Sequence, residues 1–187
     1  NPAGFPWTTL NINPEGSVAM RNRHHPITHA GFGYSASLIE YLLDKYKSEG
    51  VNLVSVGGSE EEKGMQCYKL ILRNPSYKMI SYTASEGETT LSIAAKLHIN
   101  YISILDNNPT VSGTGYVKGG TVLSVPNDYA SGMELLVRKD TLFPVRFKVY
   151  DEKGLFEDYS FYDLNTNPVY DEKDFAYDNP AYGFKCK

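Results

Sequence analysis

Hydrophobic and polar residues alternate along three stretches of the chain, and this period of two predicts β-strands. A turn at residues 151–154 then leads to a fourth predicted strand over 155–164. Because these strands follow one another through short turns, we expect an antiparallel sheet with one covered face. The alternating hydrophobic positions are Tyr68, Leu70 and Leu72, then Met133, Leu135 and Val137, then Val145, Phe147 and Val149.

A spacing of four residues precedes these strands and predicts one amphipathic helix over 27–47, with Gly50 just after its end. This helix is the only long cover that the pattern offers for the sheet. The polar stretch 57–64 is predicted to be a loop or a hairpin tip, and the stretch 7–20 a hairpin. The apolar positions of the helix are Tyr34, Leu38, Leu42 and Tyr46.

Strand-like alternation stops at residue 79 and resumes at 132, and the stretch between them has its own pattern. A short strand is followed by a turn, and Thr89 or Thr90 can cap the helix that comes next. A second helix starts at Asn100 and ends before Pro109, and a second strand closes the unit. The order is β-α-α-β. The whole chain is therefore predicted to be α+β, an antiparallel sheet covered by a long helix, with this unit inserted.

The β-α-α-β order and its residues resemble the LysM module, which binds N-acetylglucosamine chains in a shallow groove. The resemblance covers about a quarter of the chain. Glu88 stands where the family has Asp, Gly120 where it has Gln, and the loop after Pro109 is longer. The matching residues are Tyr82-Thr83, Gly87-Glu88-Thr89, Leu91, Ile93-Ala94, Ile104-Leu105, Asn108-Pro109, Gly119-Gly120 and Val122 to Pro126.

The resemblance implies a glycan-binding groove between the turn after the first strand and the loop after the second helix. Such a groove offers backbone groups to an N-acetyl amide and an apolar wall to its methyl group. The alternative is that these residues only hold two helices on a hairpin, or contact another protein. The implied groove residues are Ser85, Glu86, Gly87, Glu88, Thr89, Thr90, Asn108, Pro109, Thr110 and Val111.

The flanking stretches resemble a family of exported bacterial proteins related to the lipoprotein-carrier (LolA-like) fold. That resemblance implies a curved antiparallel sheet wrapped around helices and a location in the periplasm or cell envelope. We therefore expect a discontinuous domain of residues 1–79 and 128–187, with residues 80–127 inserted as the LysM-like domain. Because the chain begins at Asn1, we also expect upstream strands and a targeting segment to be missing from it.

Charge and cysteine content narrow the classes of partner and site. A net charge of −4 and a pI near 5.6 argue against nucleic acid as a partner, because phosphate binding needs a basic face. The longest apolar runs are shorter than a membrane span needs, so a membrane-spanning chain is not expected. Cys67 and Cys186 lack the CxxC spacing of a zinc or redox site, but they can form one disulfide in an exported protein.

Reactive side chains crowd together in one stretch of the sequence, "RNRHHPITHAG". Two of the histidines there are four residues apart and would share a helix face, as metal ligands can. The arginines favour contact with an anion or a lipid headgroup instead. A third alternative is that the histidines have only a structural role, in which they cap the helix and form hydrogen bonds. No carboxylate lies nearby in sequence. The cluster is Arg21, Arg23, His24, His25 and His29.

Three hypotheses of function follow. The first is a non-catalytic envelope protein that binds peptidoglycan or a chitin-like glycan through the LysM-like unit, and this is the one we favour. The second is a carrier of lipid or lipoprotein that uses a cavity under the sheet. The third is a metal-dependent hydrolase built on His24, His25 and His29. The sequence shows no nucleophile motif. We predict that the protein is not an enzyme and that it binds no metal and no cofactor.

Overall fold

A computed structural model of the chain describes residues 12–21, 23–29, 31–165, 167–176 and 179–182. These residues form an α+β fold with antiparallel strands and an open sheet, as the sequence predicted at that level. No helix among them is both long and apolar enough to cross a membrane. The strands are β1 Val54–Glu62, β2 Met65–Arg73, β3 Met79–Thr83, β4 Val122–Pro126, β5 Gly132–Arg138, β6 Pro144–Tyr150 and β7 Leu155–Ser160. The α-helices are α1 Ser17–Met20, α2 Phe32–Lys47, α3 Thr90–Leu97 and α4 Tyr101–Asn107.

The chain divides into two compact units, residues 14–162 and residues 1–13 with 163–187. In the described part of the smaller unit, Glu172–Phe175 and Pro180–Tyr182 form single 3-10 turns. Asp171 caps the first of these turns by accepting a hydrogen bond from the backbone N–H of Lys173. Cys186 lies outside the described residues, so the predicted disulfide with the buried Cys67 stays a prediction.

Five strands of the larger unit form one antiparallel sheet in the order β1-β2-β5-β6-β7. One face of this sheet packs against α2, and the buried residues of the two elements form a common core. Burial of these side chains is the main stabilising contribution available to the sheet. The shared core includes Leu38, Leu42 and Tyr46 from α2 and Leu72, Met133, Phe147 and Val149 from the strands.

The stretch 57–64 is the tip of a hairpin, one of its two predicted forms, but more of it is strand than a polar loop would be. β1 is the sheet edge and pairs with β2 alone, so its exposed positions tolerate Glu60 and Glu61. The turn is confined to Lys63 and Gly64, both of which have positive φ. The second half of the predicted hairpin at 7–20 is the short helix α1 instead.

The amphipathic helix also starts later than predicted. Residues Ile27–His29 form a separate 3-10 turn, and Gly31 follows with a φ of 105°. This left-handed conformation, which glycine adopts readily, interrupts the helical path before α2 begins at Phe32. His25 and His29 therefore do not share the face of one α-helix.

Strands β3 and β4 form a separate two-stranded sheet with α3 and α4 between them, and we call residues 79–126 the βααβ segment. Thr89 caps α3 in a reciprocal arrangement with Ser92, whose backbone N–H donates to the Thr89 hydroxyl oxygen at 3.0 Å. Asn100 caps α4 by accepting from the backbone N–H of Ile102 at 2.9 Å. The caps explain why two helices this short are stable here.

The βααβ segment enters and leaves the larger sheet at one place, and we call its two connecting stretches, residues 74–78 and 127–131, the neck. Strands β2 and β5 are direct neighbours, with Arg73 opposite Gly132, so the segment occupies the connection of a hairpin. Met79 pairs with Pro126 at the base of the small sheet. Below that pair, the backbone N–H of Lys78 donates to the side chain of Asn127 at 2.8 Å. An insertion with adjacent ends disturbs the host sheet little.

Contacts of the segment are not limited to this neck. Met20 of α1 is part of the core of the βααβ segment. The hydroxyl of Tyr101 also lies within hydrogen-bond distance of the carbonyl oxygens of Met20 and Arg23, at 2.8 and 2.7 Å. The stretch before α2 therefore packs on the segment as well as on the larger sheet.

A buried carboxylate fixes the neck to α2. Asp128 follows β4 and is 1% exposed. Its oxygens accept hydrogen bonds from the ammonium of Lys45, the hydroxyl of Tyr46 and the amide nitrogen of Asn74. Asn74 stands on the outgoing side of the neck and Asp128 on the returning side, so this one side chain holds both sides and the helix.

We predict that Asp128→Ala lowers the free energy of unfolding by about 3 kcal/mol, because it leaves a buried hydroxyl, an amide and a partly buried ammonium without their acceptor. Urea denaturation followed by circular dichroism measures the change. Asp140→Ala is a suitable control, since its pair with Arg138 is exposed and its loss should leave the midpoint nearly unchanged. Equal effects of the two substitutions would contradict this account of the neck.

Candidate functional site

The turn after β3 is held against the loop that precedes β4. The backbone N–H of Thr90 donates to the carbonyl of Gly115 at 3.2 Å, and its hydroxyl donates to the carbonyl of Gly113 at 2.8 Å. The backbone N–H of Val117 donates to the carbonyl of Glu88 at 2.9 Å. Residues 84–90 and 111–121 therefore line one shared surface of the βααβ segment.

Within this surface Glu88 is tied to the protein itself. Its carboxylate accepts from the backbone N–H of Ser85, the hydroxyl of Tyr82 and the ammonium of Lys96, at 2.8, 2.8 and 3.0 Å. These hydrogen bonds, that of Ser85 first, lower the pKa of Glu88 to about 2. An ionised Glu88 therefore closes the turn.

The implied groove residues fall into two groups. Thr90 and Asn108 are buried, and both side chains make internal hydrogen bonds. The amide of Asn108 donates to the carbonyl of Ser124 and accepts from its N–H, so it anchors α4 to β4. Thr89 caps α3, and Val111 packs against the core. The exposed residues are Ser85, Glu86, Gly87, Pro109 and Thr110.

An aromatic residue on the same surface was not among the predicted groove residues. Tyr116 is 82% exposed and forms an isolated antiparallel bridge with Thr89. Gly87 has a φ of 82°, and a side chain added there would point into open space. The surface thus has an exposed ring, paired through its backbone with Thr89, and accessible backbone at Gly87 two residues before Thr89. The sequence signal was a lone Tyr among glycines in "SGTGYVKGG".

A second candidate site surrounds the carboxylate of Glu157 on β7. Oxygen Oε1 lies 2.9 Å from the hydroxyl of Tyr129 and 3.0 Å from the amide nitrogen of Asn100. It also lies 3.1 Å from Nε2 of His25 and 3.2 Å from Nδ1 of His24. The Glu157 side chain is 2% exposed. Four donors from three separate parts of the chain therefore converge on one buried oxygen.

The environment determines the charge of this carboxylate. Burial by itself raises the pKa of Glu157, but hydrogen bonds from His24, His25 and Tyr129 outweigh it and lower the pKa to about 2. Glu157 is therefore ionised at neutral pH. Each imidazole has an N–H to donate in its neutral form, so the hydrogen bonds need no protonated histidine.

A cavity of about 450 Å³ opens beside Glu157, between α2, the stretch 23–29 and the sheet. His29 is on its wall, and its ring stacks on Tyr34 with centroids 4.2 Å apart. Within the described chain, the buried Nδ1 of His29 has no hydrogen-bond partner. Burial, then the charge of His25, lowers the pKa of His29. The aromatic side chains on the wall are Tyr34, Tyr129, Phe147, Tyr159 and Phe161.

The predicted histidine cluster is thus partly assembled. His24 and His25 both face an acidic group of the chain itself, and His25 and His29 have ring centroids 6.0 Å apart. Arg23 lines the cavity and is exposed, whereas Arg21 is an exposed residue after α1. Across the residues that the structure describes, no three His, Cys, Asp or Glu side chains are placed to hold a metal ion.

Sequence reasoning missed the acidic member of this cluster because Glu157 lies more than 130 residues from the histidines. The available signal was local. Glu157 lies on the same face of a predicted strand as Leu155 and Tyr159, where an apolar residue would be expected. Asn100 is predicted only to begin a helix, and Tyr129 lies outside every predicted element, so neither gave a comparable signal.

Comparison of the chain with protein-family models, with curated proteins and with solved structures found no match.

We predict that stability depends on the ionisation of Glu157. A lowered pKa in the folded state adds stability that is present above about pH 4.5 and is lost as the pH falls towards about 2. The shift corresponds to roughly 3 kcal/mol. Urea unfolding of wild type at several pH values across this range measures the loss.

Glu157→Gln should be less stable than wild type at neutral pH and should depend less on pH in the acid range. Glu134→Gln is a matched control, because Glu134 pairs with Lys69 and is not in this cluster. If wild type and Glu157→Gln lost stability in parallel, the carboxylate would not be the linked group.

Proposed function

We propose that this chain is a non-catalytic protein of the bacterial cell envelope that binds peptidoglycan or a chitin-like glycan. The binding element is the βααβ segment, which we take to be a LysM-like module inserted in a LolA-like sheet domain. The envelope location rests on the resemblance of the flanking stretches to exported proteins. The glycan rests on the resemblance of the segment.

One observation carries the proposal. The turn 85–90 and the loop 113–117 are hydrogen-bonded into one surface, and the residues that stay exposed on it suit a sugar. Gly87 and Ser85 leave backbone accessible, Tyr116 adds a ring, and the resemblance assigns the exposed Pro109 to the opposite wall. The buried Thr90 and Asn108 hold this arrangement from below rather than touching the ligand.

The chemistry of N-acetylglucosamine matches such a surface. Its amide can donate to and accept from backbone groups, and the apolar face of its ring can stack on a tyrosine. LysM grooves are shallow, so by that resemblance a single sugar should bind only in the millimolar range, about −4 kcal/mol. Linked sugars should bind more tightly, since further contacts are made without a new loss of translational freedom.

We predict that amide signals of residues 85–90 and 109–117 shift when chitin oligomers are titrated into the isotope-labelled chain. Tyr116→Ala should weaken binding by roughly tenfold, because it removes a stacked ring. Tyr68→Ala is the control, as Tyr68 is an exposed aromatic residue on β2, outside the segment. Sedimentation with purified cell wall tests the same variants on the polymer.

Gly87 offers a second substitution. Asn tolerates positive φ better than a branched residue does, so Gly87→Asn should fold and place a side chain over the turn. We expect it to reduce oligomer binding without changing the free energy of unfolding by more than about 1 kcal/mol. Absence of shifts at millimolar oligomer, or binding unaffected by both substitutions, would show that the segment is a scaffold or a protein-contact module.

A further inference from the structure

The cavity beside Glu157 has no part in glycan binding, and its composition calls for an explanation of its own. A pocket of a few hundred cubic ångströms with an apolar wall and a few convergent polar groups is the usual form of a small-molecule site. Here the volume is about 450 Å³, and the polar groups converge on one buried carboxylate.

The charges that face the cavity decide which ligands it can accept. Glu157 is ionised, and it lies behind the wall with 2% of its side chain exposed. Arg23 also lines the cavity but is an exposed residue, so water and salt screen its charge. His24, His25 and His29 are the remaining titratable bases on the wall, and in the neutral form each has one ring nitrogen that accepts a hydrogen bond.

The tyrosines on the wall report the same negative field. Burial, and then the charge of Glu157, raises the pKa of Tyr34 to about 12. The same two causes raise the pKa of Tyr159 and of Tyr129 well above the ordinary value. A second negative charge in this cavity would meet the same opposition. The charge of His25 opposes a further cation at His29, so a positive charge would be favoured beside Tyr34 and Tyr159, where the charge of Glu157 acts.

The shape of the wall adds a second attraction. Tyr34, Tyr159, Phe147 and Phe161 provide aromatic rings on the wall, and ring faces attract a cation within about 6 Å. Hydrophobic contact with Leu38 and with the rings would hold an apolar body. We propose that this cavity binds a small organic ammonium ion with an apolar or aromatic body, with Glu157 as its counter-ion and the tyrosine rings as its cage.

Three probes of nearly the same shape test the proposal: benzylammonium, benzyl alcohol and benzoate. At neutral pH benzylammonium should bind with a dissociation constant on the order of a millimolar, about tenfold more tightly than benzyl alcohol. Benzoate should bind most weakly. Amide shifts of the isotope-labelled chain measure each affinity, and the shifts should be centred on Tyr34, Tyr129 and Glu157.

Two substitutions test separately the contribution of the Glu157 charge and that of the aromatic rings. Glu157→Gln should remove the preference for benzylammonium over benzyl alcohol, whereas Glu134→Gln, on a strand position outside the cavity, should keep it. Tyr159→Leu keeps an apolar side chain but removes a ring face, so it should weaken benzylammonium three- to fivefold and leave benzyl alcohol within about twofold. Tyr159 is partly exposed, so this variant should fold even if Glu157→Gln does not.

The proposal is overturned if benzoate binds as tightly as benzylammonium, which would make the cavity an anion site. It is also overturned if the three probes bind equally, if none binds at about ten millimolar, or if the shifts lie elsewhere. These outcomes are independent of glycan binding, because chitin oligomers should shift residues around Tyr116 and the ammonium probes residues around Glu157.

Discussion

The carboxylate of Glu157 is the constraint on which the rest of the larger unit depends. A buried charge is tolerated only when hydrogen bonds replace its water, and here the donors come from distant parts of the chain. His24 and His25 precede α2, Asn100 caps α4, and Tyr129 follows the neck. Satisfying one oxygen of one side chain therefore fixes the stretch before α2 and the βααβ segment relative to β7. Loss of any donor leaves the charge underpaired, which is why the cluster acts as a unit.

The neck makes a second buried carboxylate necessary. Inserting the βααβ segment between neighbouring strands interrupts the hairpin of β2 and β5 and leaves polar backbone at its base. On the returning side of the neck, Asn127 accepts from the backbone N–H of Lys78 and donates to the carbonyl of Ser76. Asp128 accepts from the side chains of Asn74 and of Tyr46 on α2. Hydrogen bonds therefore hold the βααβ segment at the neck and also at Asn100, whose amide donates to Glu157 on β7. The proposed glycan surface and the cavity thus lie in one compact unit and share no residues.

Prediction from sequence succeeded where one local pattern determined the outcome. The alternation in β6 identified its buried face, and the Thr89 and Asn100 caps identified where α3 and α4 begin. Prediction failed where the place of a residue in the tertiary structure determined its conformation or its partners. Glu60 to Glu62 gave no strand signal, because only an edge strand tolerates so much charge, and the backbone of Gly31 delays the start of α2. Glu157 could not be linked to the histidines, because only the pairing of β6 with β7 brings it beneath them.

The two candidate sites differ in the physical basis of recognition, and this difference bears on what each can discriminate. A glycan on the exposed surface would be recognised by backbone groups and one ring, which carry no charge and respond little to pH or salt. A ligand in the cavity would face a buried ion whose state is set by its four donors, so charge rather than shape would dominate. Asn100 is the one residue that serves both parts, as it caps α4 and donates to Glu157. Its amide cannot be replaced by an apolar group of the same size without leaving both a helix end and a buried charge unsatisfied.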